Sequence, residues 1–337
     1  MKKFAVIGCG FWAQCQIAGW MEVGGVELAA VYNRTRRNAE AVAKRFEVPR
    51  VYNTAEELFE KEELDFVDII TNVETHERFT LLAASHGVPV ICQKPMAPDL
   101  AAADRMLAAC KNANIPFLIH ENWRWQYPIR EVKKRLEEGV IGDPFRARIT
   151  YGNSFPVFDN QPFLAELEQF ILTDMGTHIF DVVRFLFGEA ETIYCQTARI
   201  HKHIKGEDVA TAALKMKSGL HCSVELSYTS IVEQDRFPET FMMIEGELGS
   251  IELAPDGWVR TTTAKGTHAV RVRTPFYPWV DHRYYLSQTA AVEANRDFLR
   301  ALNGEKAAET TGEDNRRTLE LVQAAYRSAS LNSAVTL

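Results

Sequence analysis

The chain has 337 residues, 46% of them hydrophobic and 25% charged, a globular composition long enough for two cores. A net charge of −7 with no basic stripe argues against a nucleic-acid partner, and the longest apolar runs fall far short of the ~18–20 residues that cross a bilayer. Six cysteines at 9, 15, 92, 110, 195 and 222, with no CxxC pair, suit a reducing compartment, so the cytoplasm is the expected address.

The opening "MKKFAVIGCG" has a charged pair and an apolar run, as a signal peptide does. The run is short and meets glycines at once, so it reads as a strand at 4–7. Helices are expected over 12–23, 37–46, 75–86 and 101–112, with strands at 28–32, 67–70, 88–92 and 116–120 between and after them. Short apolar strands alternating with amphipathic helices make a parallel sheet covered on both faces.

The pattern changes after Asn122, which sets a boundary near 120–125. A helix over 129–138 ends at "GVIGDP"; a strand at 145–151, a loop rich in Phe, Asn and Pro, and a helix over 170–187 follow. Strand-like runs at 192–200, 209–216, 220–228, 240–246, 250–254 and 270–274 have no helices between them, which implies an antiparallel sheet. Helices over 290–302 and 312–331 close the chain. The expected division is therefore 1–122 and 123–337, with the C-terminal helix free to pack back on the first domain. The "HKH" at 201–203 lacks a carboxylate or cysteine at ligand spacing, so it reads as a solvated loop and no metal is expected.

"GCGFWA", residues 8–13, has the form G-x-G-x-x-A directly after a strand and at the start of a helix. Glycines there let backbone amides approach a pyrophosphate at the positive helix end. About twenty residues on, where a ribose-binding carboxylate is usual, stands Asn33, followed by Arg34, Arg36 and Arg37. Asn33 can still bond a ribose hydroxyl while an arginine accepts a 2′-phosphate, so these residues leave NADP open beside NAD.

In "FILTDMGTHIFDVVRFLFG" an apolar helix carries Asp174, His178 and Asp181 at i, i+4 and i+7, on one face. Ionisable groups there are costly unless they pair within the core or line a cavity. With a nucleotide fold upstream, a catalytic Asp–His pair is the favoured reading. Lys94, in "VICQKPMAP", follows a strand end, a place where a lysine is ordinarily just solvated.

Together these motifs resemble the glucose–fructose oxidoreductase, inositol dehydrogenase and rhizopine-catabolism (Gfo/Idh/MocA) family over essentially the whole chain. "CQKPMA" at 92–97 matches its Glu-Lys-Pro turn, with Gln93 in place of the glutamate, and "DMGTHIFD" at 174–181 matches its Asp-x-Gly-x-His-x-x-Asp helix. "NWRWQYPIREVKKRLEEGVIGDP" and "EDNRRTLELVQAAYRSA" resemble its linking segment and closing helix. The resemblance implies an N-terminal Rossmann domain, then an α+β domain with a large, mainly antiparallel open sheet that usually mediates homo-oligomerisation, as dimer or tetramer. It also implies that Lys94 projects into the cleft as a catalytic residue. Within the family, "GFW", "YNRT", "CQKPMA", "ENWRWQ" and "EDVAT" resemble the D-apiose dehydrogenases, which oxidise a branched pentose to its lactone with NAD.

The expected chemistry is hydride transfer from a sugar carbon to a nicotinamide, with His178 as base, Lys94 on the reacting oxygen and Asp174 on a neighbouring hydroxyl. The roles of Lys94 and His178 are interchangeable at this level. Expected cofactor contacts are Gly8, Gly10, Phe11, Trp12, Asn33, Arg34, Thr71, Asn72, His76, Gln93, Lys94 and Asn122. Arg124, Asn153, Asn160 and Phe163 are candidate substrate contacts beside Lys94, Asp174 and His178. Trp12, Trp123, Trp125, Phe155 and Phe158 serve equally as sugar platforms or as core. Competing readings are a dehydrogenase of another aldose or polyol, a nucleotide-binding regulator without turnover, and a dehydratase or glycosidase using transient NAD oxidation.

Overall fold

In the computed structural model, which describes residues 1–233 and 237–337, strand β1 (Lys2–Ile7) runs through Gly8 into helix α1 (Phe11–Val23). The alternation continues through β2 (Val26–Tyr32), α2 (Arg36–Phe46), β3 (Arg50–Tyr52), α3 (Ala55–Lys61), β4 (Phe66–Ile69), α4 (His76–Ser85), β5 (Val90–Gln93), α5 (Leu100–Asn112) and β6 (Phe117–His120). Among the described residues these strands form one parallel sheet in the order β3-β2-β1-β4-β5-β6. The order reverses between β1 and β4, and the crevice outside their carboxyl ends is where such sheets bind ligands. Phe4 stacks on Phe66 at 4.8 Å with Trp20 against both, which seats α1 on the sheet.

The sequence pattern gives no signal for β3 and α3. β3 has three partly exposed residues, too few to show a period. α3 is a single seven-residue helix, started by Thr54, whose hydroxyl accepts from the Glu57 amide at 3.1 Å.

After Asn122 come α6 (Tyr127–Glu137), β7 (Pro144–Gly152), the short α7 (Val157–Asn160), α8 (Thr177–Phe187), β8 (Ala190–Ala198), β9 (Val209–Met216) and β10 (His221–Ser227). Then follow β11 (Phe241–Gly246), β12 (Gly249–Ala254), β13 (Trp258–Thr263), β14 (Gly266–Arg271), α9 (Tyr285–Leu302), α10 (Gly312–Leu331) and β15 (Val335–Thr336). Their strands form a second sheet, β14-β13-β12-β11-β7-β10-β9-β8-β15. Its neighbours pair antiparallel except β7 with β10, which run parallel. Alternation is clean: in β9, Ala210, Ala212, Leu214 and Met216 are buried while Thr211, Ala213 and Lys215 are exposed. That gives one packed face and one open face.

Two expectations change here. The strand expected at 270–274 is β14, which ends at Arg271 and forms a hairpin with the unexpected β13. β14 is a mostly exposed edge strand, so hydrophobic alternation could not register it. The helix expected over 170–187 holds a π-helical segment, Leu172–Gly176, ahead of α8.

The chain divides into Met1–Glu121 with Ala291–Leu319, and Asn122–Ala290 with Glu320–Leu337. Residues 291–319 thus join the first unit, not the second as a cut at 122/123 implies. Their contacts explain it. Asn295 bonds His120 Nε2 at 3.0 Å and the Gln16 carbonyl at 3.2 Å, and Phe298 meets the His120 ring edge-on. The Ile119 amide donates to the Thr310 carbonyl at 2.8 Å, covering the edge strand β6. Among the described residues no helix is long and apolar enough to cross a membrane.

Gly312 sits where a Cβ would lie 2.5 Å from Phe117 Cδ1 and 2.9 Å from Leu107 Cδ2. Gly312→Ala is therefore expected to destabilise the first unit by about 1–3 kcal/mol, read as a lower urea midpoint with unchanged slope.

Candidate active site

In the first unit the site begins at Gly8. Its amide donates to the Tyr32 carbonyl at 2.8 Å, and its φ is +104°. A Cβ there would lie 2.2 Å from the Ile70 carbonyl oxygen, so only glycine lets β1 turn this close to β4. Gly10 precedes α1, and a Cβ on it would meet nothing within 4 Å. The first turn of α1 carries no acidic residue and no side-chain cap. This uncapped helix start, beside partly exposed Phe11 and Trp12, fits a dinucleotide pyrophosphate.

Asn33 staples this loop. Its Oδ1 accepts from the Cys9 amide at 3.0 Å and its Nδ2 donates to the Thr35 carbonyl at 2.9 Å. Each end of the amide keeps one further hydrogen-bonding position. Arg34 and Arg37 are exposed, whereas Arg36 pairs with Glu40 at 2.8 Å and with Asn53. Beyond β4, Thr75 Oγ1 donates to Thr71 Oγ1 at 2.8 Å, leaving Thr71 half-buried and Asn72 exposed at the rim.

His76 departs from expectation. It is wholly buried, with Nδ1 3.0 Å from the Pro95 carbonyl and Nε2 3.0 Å from the Thr71 carbonyl. Burial lowers its pKa below the usual imidazole value. It clamps two loop ends together and has no face for a nucleotide. Lys94 is half-buried in the turn after β5, between buried Gln93 and buried Met96 and Ala97. Gln93 also turns inward: its Nε2 donates to Gln16 Oε1 at 2.6 Å, and its Oε1 accepts from the Lys94 amide at 3.1 Å.

In the second unit, Glu207 fixes the start of the polar helix. Its carboxylate accepts from the Phe170 amide at 3.1 Å, the Leu172 amide at 3.1 Å and the Tyr326 hydroxyl at 2.7 Å. The neighbouring Asp208 accepts from the Ile200 and His201 amides and holds His201 Nδ1 at 2.7 Å, so the first histidine of "HKH" is tied to a carboxylate. Among the described residues no group of three or more His, Cys, Asp or Glu is placed to hold a metal.

The expected stripe then splits. Asp181 is fully buried in a bidentate pair with Arg124, Nε at 2.7 Å and Nη2 at 2.5 Å. This corrects Arg124 from substrate contact to structural counter-ion, because Asp181 inside the core requires a partner. Asp174 lies in the π segment, half-buried, and accepts from the Tyr228 hydroxyl at 3.1 Å. His178 stacks on Trp123 with ring centroids 4.4 Å apart, and Trp123 Nε1 donates to Thr240 at 2.9 Å. That stack fixes the imidazole plane.

Other expected contacts are engaged elsewhere. Asn122 is buried with Nδ2 on the Ser287 carbonyl at 2.9 Å. Asn153 is fully buried, and its Oδ1 accepts from the Phe155 amide at 3.0 Å to turn the chain after β7. Asn160 donates to the Tyr284 hydroxyl at 2.9 Å. Phe163 is 48% exposed on a 3-10 turn, and Phe155 stacks on Phe237 in the core. Tyr228 escaped the sequence reading, since a tyrosine after a strand has no distinctive spacing. Burial, then the neighbouring Tyr151 and Asp174, push its pKa well above the usual value, so it stays a donor to Asp174.

Removing Arg124 takes the bidentate partner from a fully buried carboxylate. Arg124→Met is expected to cost about 3–5 kcal/mol, and Arg124→Met with Asp181→Leu considerably less; urea unfolding of both variants checks this. Asp68, in β4, is pushed up to about 7 from 3.8 by burial, against hydrogen bonds from Trp20 and Gln16 that lower it. The native state then binds this proton more tightly than the unfolded chain, so its contribution to stability falls as pH rises from about 4 to about 7. Asp68→Asn removes that slope. Its melting temperature relative to the parent is expected to be more favourable at about pH 8 than at about pH 5.

Comparison with known proteins gives the family. Residues 2–120 match the oxidoreductase family described as an NAD-binding Rossmann fold, and residues 129–252 match the Gfo/Idh/MocA C-terminal domain. The chain is 38% identical to a D-apiose dehydrogenase of Rhizobium rhizogenes, over 99% of this chain and 97% of that protein. It is 37% identical to a D-apiose dehydrogenase of Paraburkholderia graminis, over 100% of this chain and 90% of that protein. An oxidoreductase from Agrobacterium radiobacter, crystallised with NAD+, L-tartaric acid and magnesium, superposes with a TM-score of 0.98 at 38% identity, covering 99% of this chain and 98% of that one. With a glycine cradle at Gly8 and Gly10, both domains matched in order and relatives alike from end to end, the chain belongs to the Gfo/Idh/MocA family of NAD-binding oxidoreductases.

Proposed function

We propose that this oxidoreductase is a sugar dehydrogenase that converts D-apiose to its lactone with NAD. What carries the reading is the end-to-end likeness, 38% over 99% of the chain, to a D-apiose dehydrogenase. The polar sets described above suit it. The amides after Gly8 and Gly10 hold the pyrophosphate, Asn33 and Arg34 meet the ribose, and Thr71 and Asn72 line the nicotinamide side. Bound NAD supplies the hydride acceptor.

The ring hemiacetal loses hydride from its anomeric carbon and a proton from the attached hydroxyl, leaving the lactone carbonyl. His178 takes the hydroxyl proton, its ring plane held by Trp123. Lys94 holds the reacting oxygen and offsets its developing charge. Asp174, steadied by Tyr228, binds a neighbouring hydroxyl. Assignment of Lys94 and His178 to one reaction rests on the motif order shared with the family. The six free thiols suit the cytoplasm, and we assign the enzyme there as a homo-oligomer joined through its second sheet.

The test is reduced-nicotinamide absorbance with NAD or NADP against D-apiose, other aldoses and polyols. D-Apiose with NAD is expected to give the highest kcat/KM; an inositol or another aldose in first place would move the substrate assignment. Lys94→Ala is expected to lower kcat by about a hundredfold or more while NAD still binds. If it keeps most of the parent kcat, the role given to Lys94 is wrong.

A further inference from the structure

A line of buried polar side chains in the first unit has no part in the chemistry above. Asp68 lies within β4, wholly buried, flanked by apolar Val67 and Ile69. Its carboxylate accepts from Trp20 Nε1 at 2.8 Å and from Gln16 Nε2 at 2.7 and 2.8 Å. Gln16, also wholly buried, turns Oε1 to Gln93 Nε2 at 2.6 Å. Gln93 Oε1 in turn accepts from the backbone amide of Lys94 at 3.1 Å.

The polarity of this line is set at one end. Above about pH 7, where Asp68 is ionised, its carboxylate only accepts, so Gln16 must present its NH2 to Asp68 and its oxygen to residue 93. That oxygen needs a donor, while the Lys94 amide needs an acceptor. Glutamine at 93 offers both in the required order. A glutamate there would set a second acceptor against the Gln16 oxygen at 2.6 Å, a buried mismatch. The same turn is gripped on its far side by His76, which bonds the Pro95 carbonyl at 3.0 Å. Lys94 therefore sits between two anchors, one at its own amide and one at the next carbonyl.

We propose that Asp68, Gln16 and Gln93 form a hydrogen-bond relay of fixed polarity that sets the Lys94 turn, making Asp68 and Gln16 positioning residues for the oxidation. The inference rests on the role given to Lys94 above. It identifies why residue 93 is an amide: the choice is dictated by a carboxylate on the adjacent strand, through Gln16.

A reciprocal exchange tests it. Asp68→Asn puts an NH2 where Oδ1 now receives the Gln16 donor, so Gln16 must turn over and confront Gln93 with a second donor. Gln93→Glu creates the opposite mismatch. Combined, the two changes restore alternation in reverse. Trp20 then donates to the new amide at position 68, and that amide donates to Gln16. Gln16 donates to the new carboxylate at position 93, which still accepts from the Lys94 amide. Each single variant is expected to lose about tenfold in kcat, with the KM for NAD little changed, and the double variant to return to within about threefold of the parent. Gln93→Met cuts the line and is expected to lose kcat without rescue by Asp68→Asn.

Losses that multiply in the double variant, or single variants with parental kcat, would overturn the relay. Melting temperatures and the acetylation rate of Lys94, read by mass spectrometry, are measured on the same set. Should the parent turn over no sugar, the sugar assignment fails by itself. The relay is then upheld if both readouts recover in the double variant, and refuted if they do not.

Discussion

No side chain fits between Gly8 and Ile70. A Cβ on Gly8 would lie 2.2 Å from the Ile70 carbonyl oxygen, and the φ of +104° favours glycine in any case. This close approach brings the ends of β1 and β4 together at the point where strand order reverses. It also fixes where α1 begins. The Ile70 amide donates to the Ile7 carbonyl at 2.7 Å, so the approach is locked by the ladder itself. Asn33 then ties the Cys9 amide from the β2 side. The cradle is set by backbone, which explains why so few side chains are needed to make it.

The second unit solves a different problem, that of holding carboxylates inside an apolar helix. Each is handled differently. Asp181 is neutralised by bidentate Arg124, which is itself buried among residues that include Phe185. Asp174 is kept half-exposed by the π segment and steadied by a phenol that burial keeps protonated. π segments interrupt regular helices at functional positions more often than elsewhere. Glu207 stabilises the irregular start by accepting from the Phe170 and Leu172 amides. Those amides belong to the first turn, where a helix has no acceptor of its own to offer them.

Much of the architecture was legible because it is written in period and punctuation. Parallel strands buried on both faces read as apolar runs, and the strands of the second sheet alternate, so both sheets follow from sequence. The phosphate cradle was legible because its glycines have a backbone reason. What escaped was set by tertiary contact. β3 and β14 lie at sheet edges, where burial no longer shapes the pattern. Residues 291–319 join the first unit through Asn295, Phe298 and Gly312, none of which announces a partner in sequence. Among the site residues, Arg124, Asn122 and His76 each bond a buried group of the protein, as most buried polar side chains do.

Asp68 shows how far that rule extends. A carboxylate in a central parallel strand costs stability, as its raised pKa reflects, and an apolar residue would pack there at lower cost. Three donor contacts from Trp20 and Gln16 offset part of that cost, yet leave nothing for solvent or ligand. What an apolar residue could not provide is direction. Only an acceptor fixed at Asp68 determines which end of the Gln16 amide faces Gln93, and so which end of Gln93 faces Lys94. Buried polar groups specify geometry more sharply than apolar ones because a wrong orientation leaves donors facing donors. The line from Asp68 to the Lys94 amide therefore trades stability for a defined turn at the end of β5, where a lysine could otherwise wander with the loop.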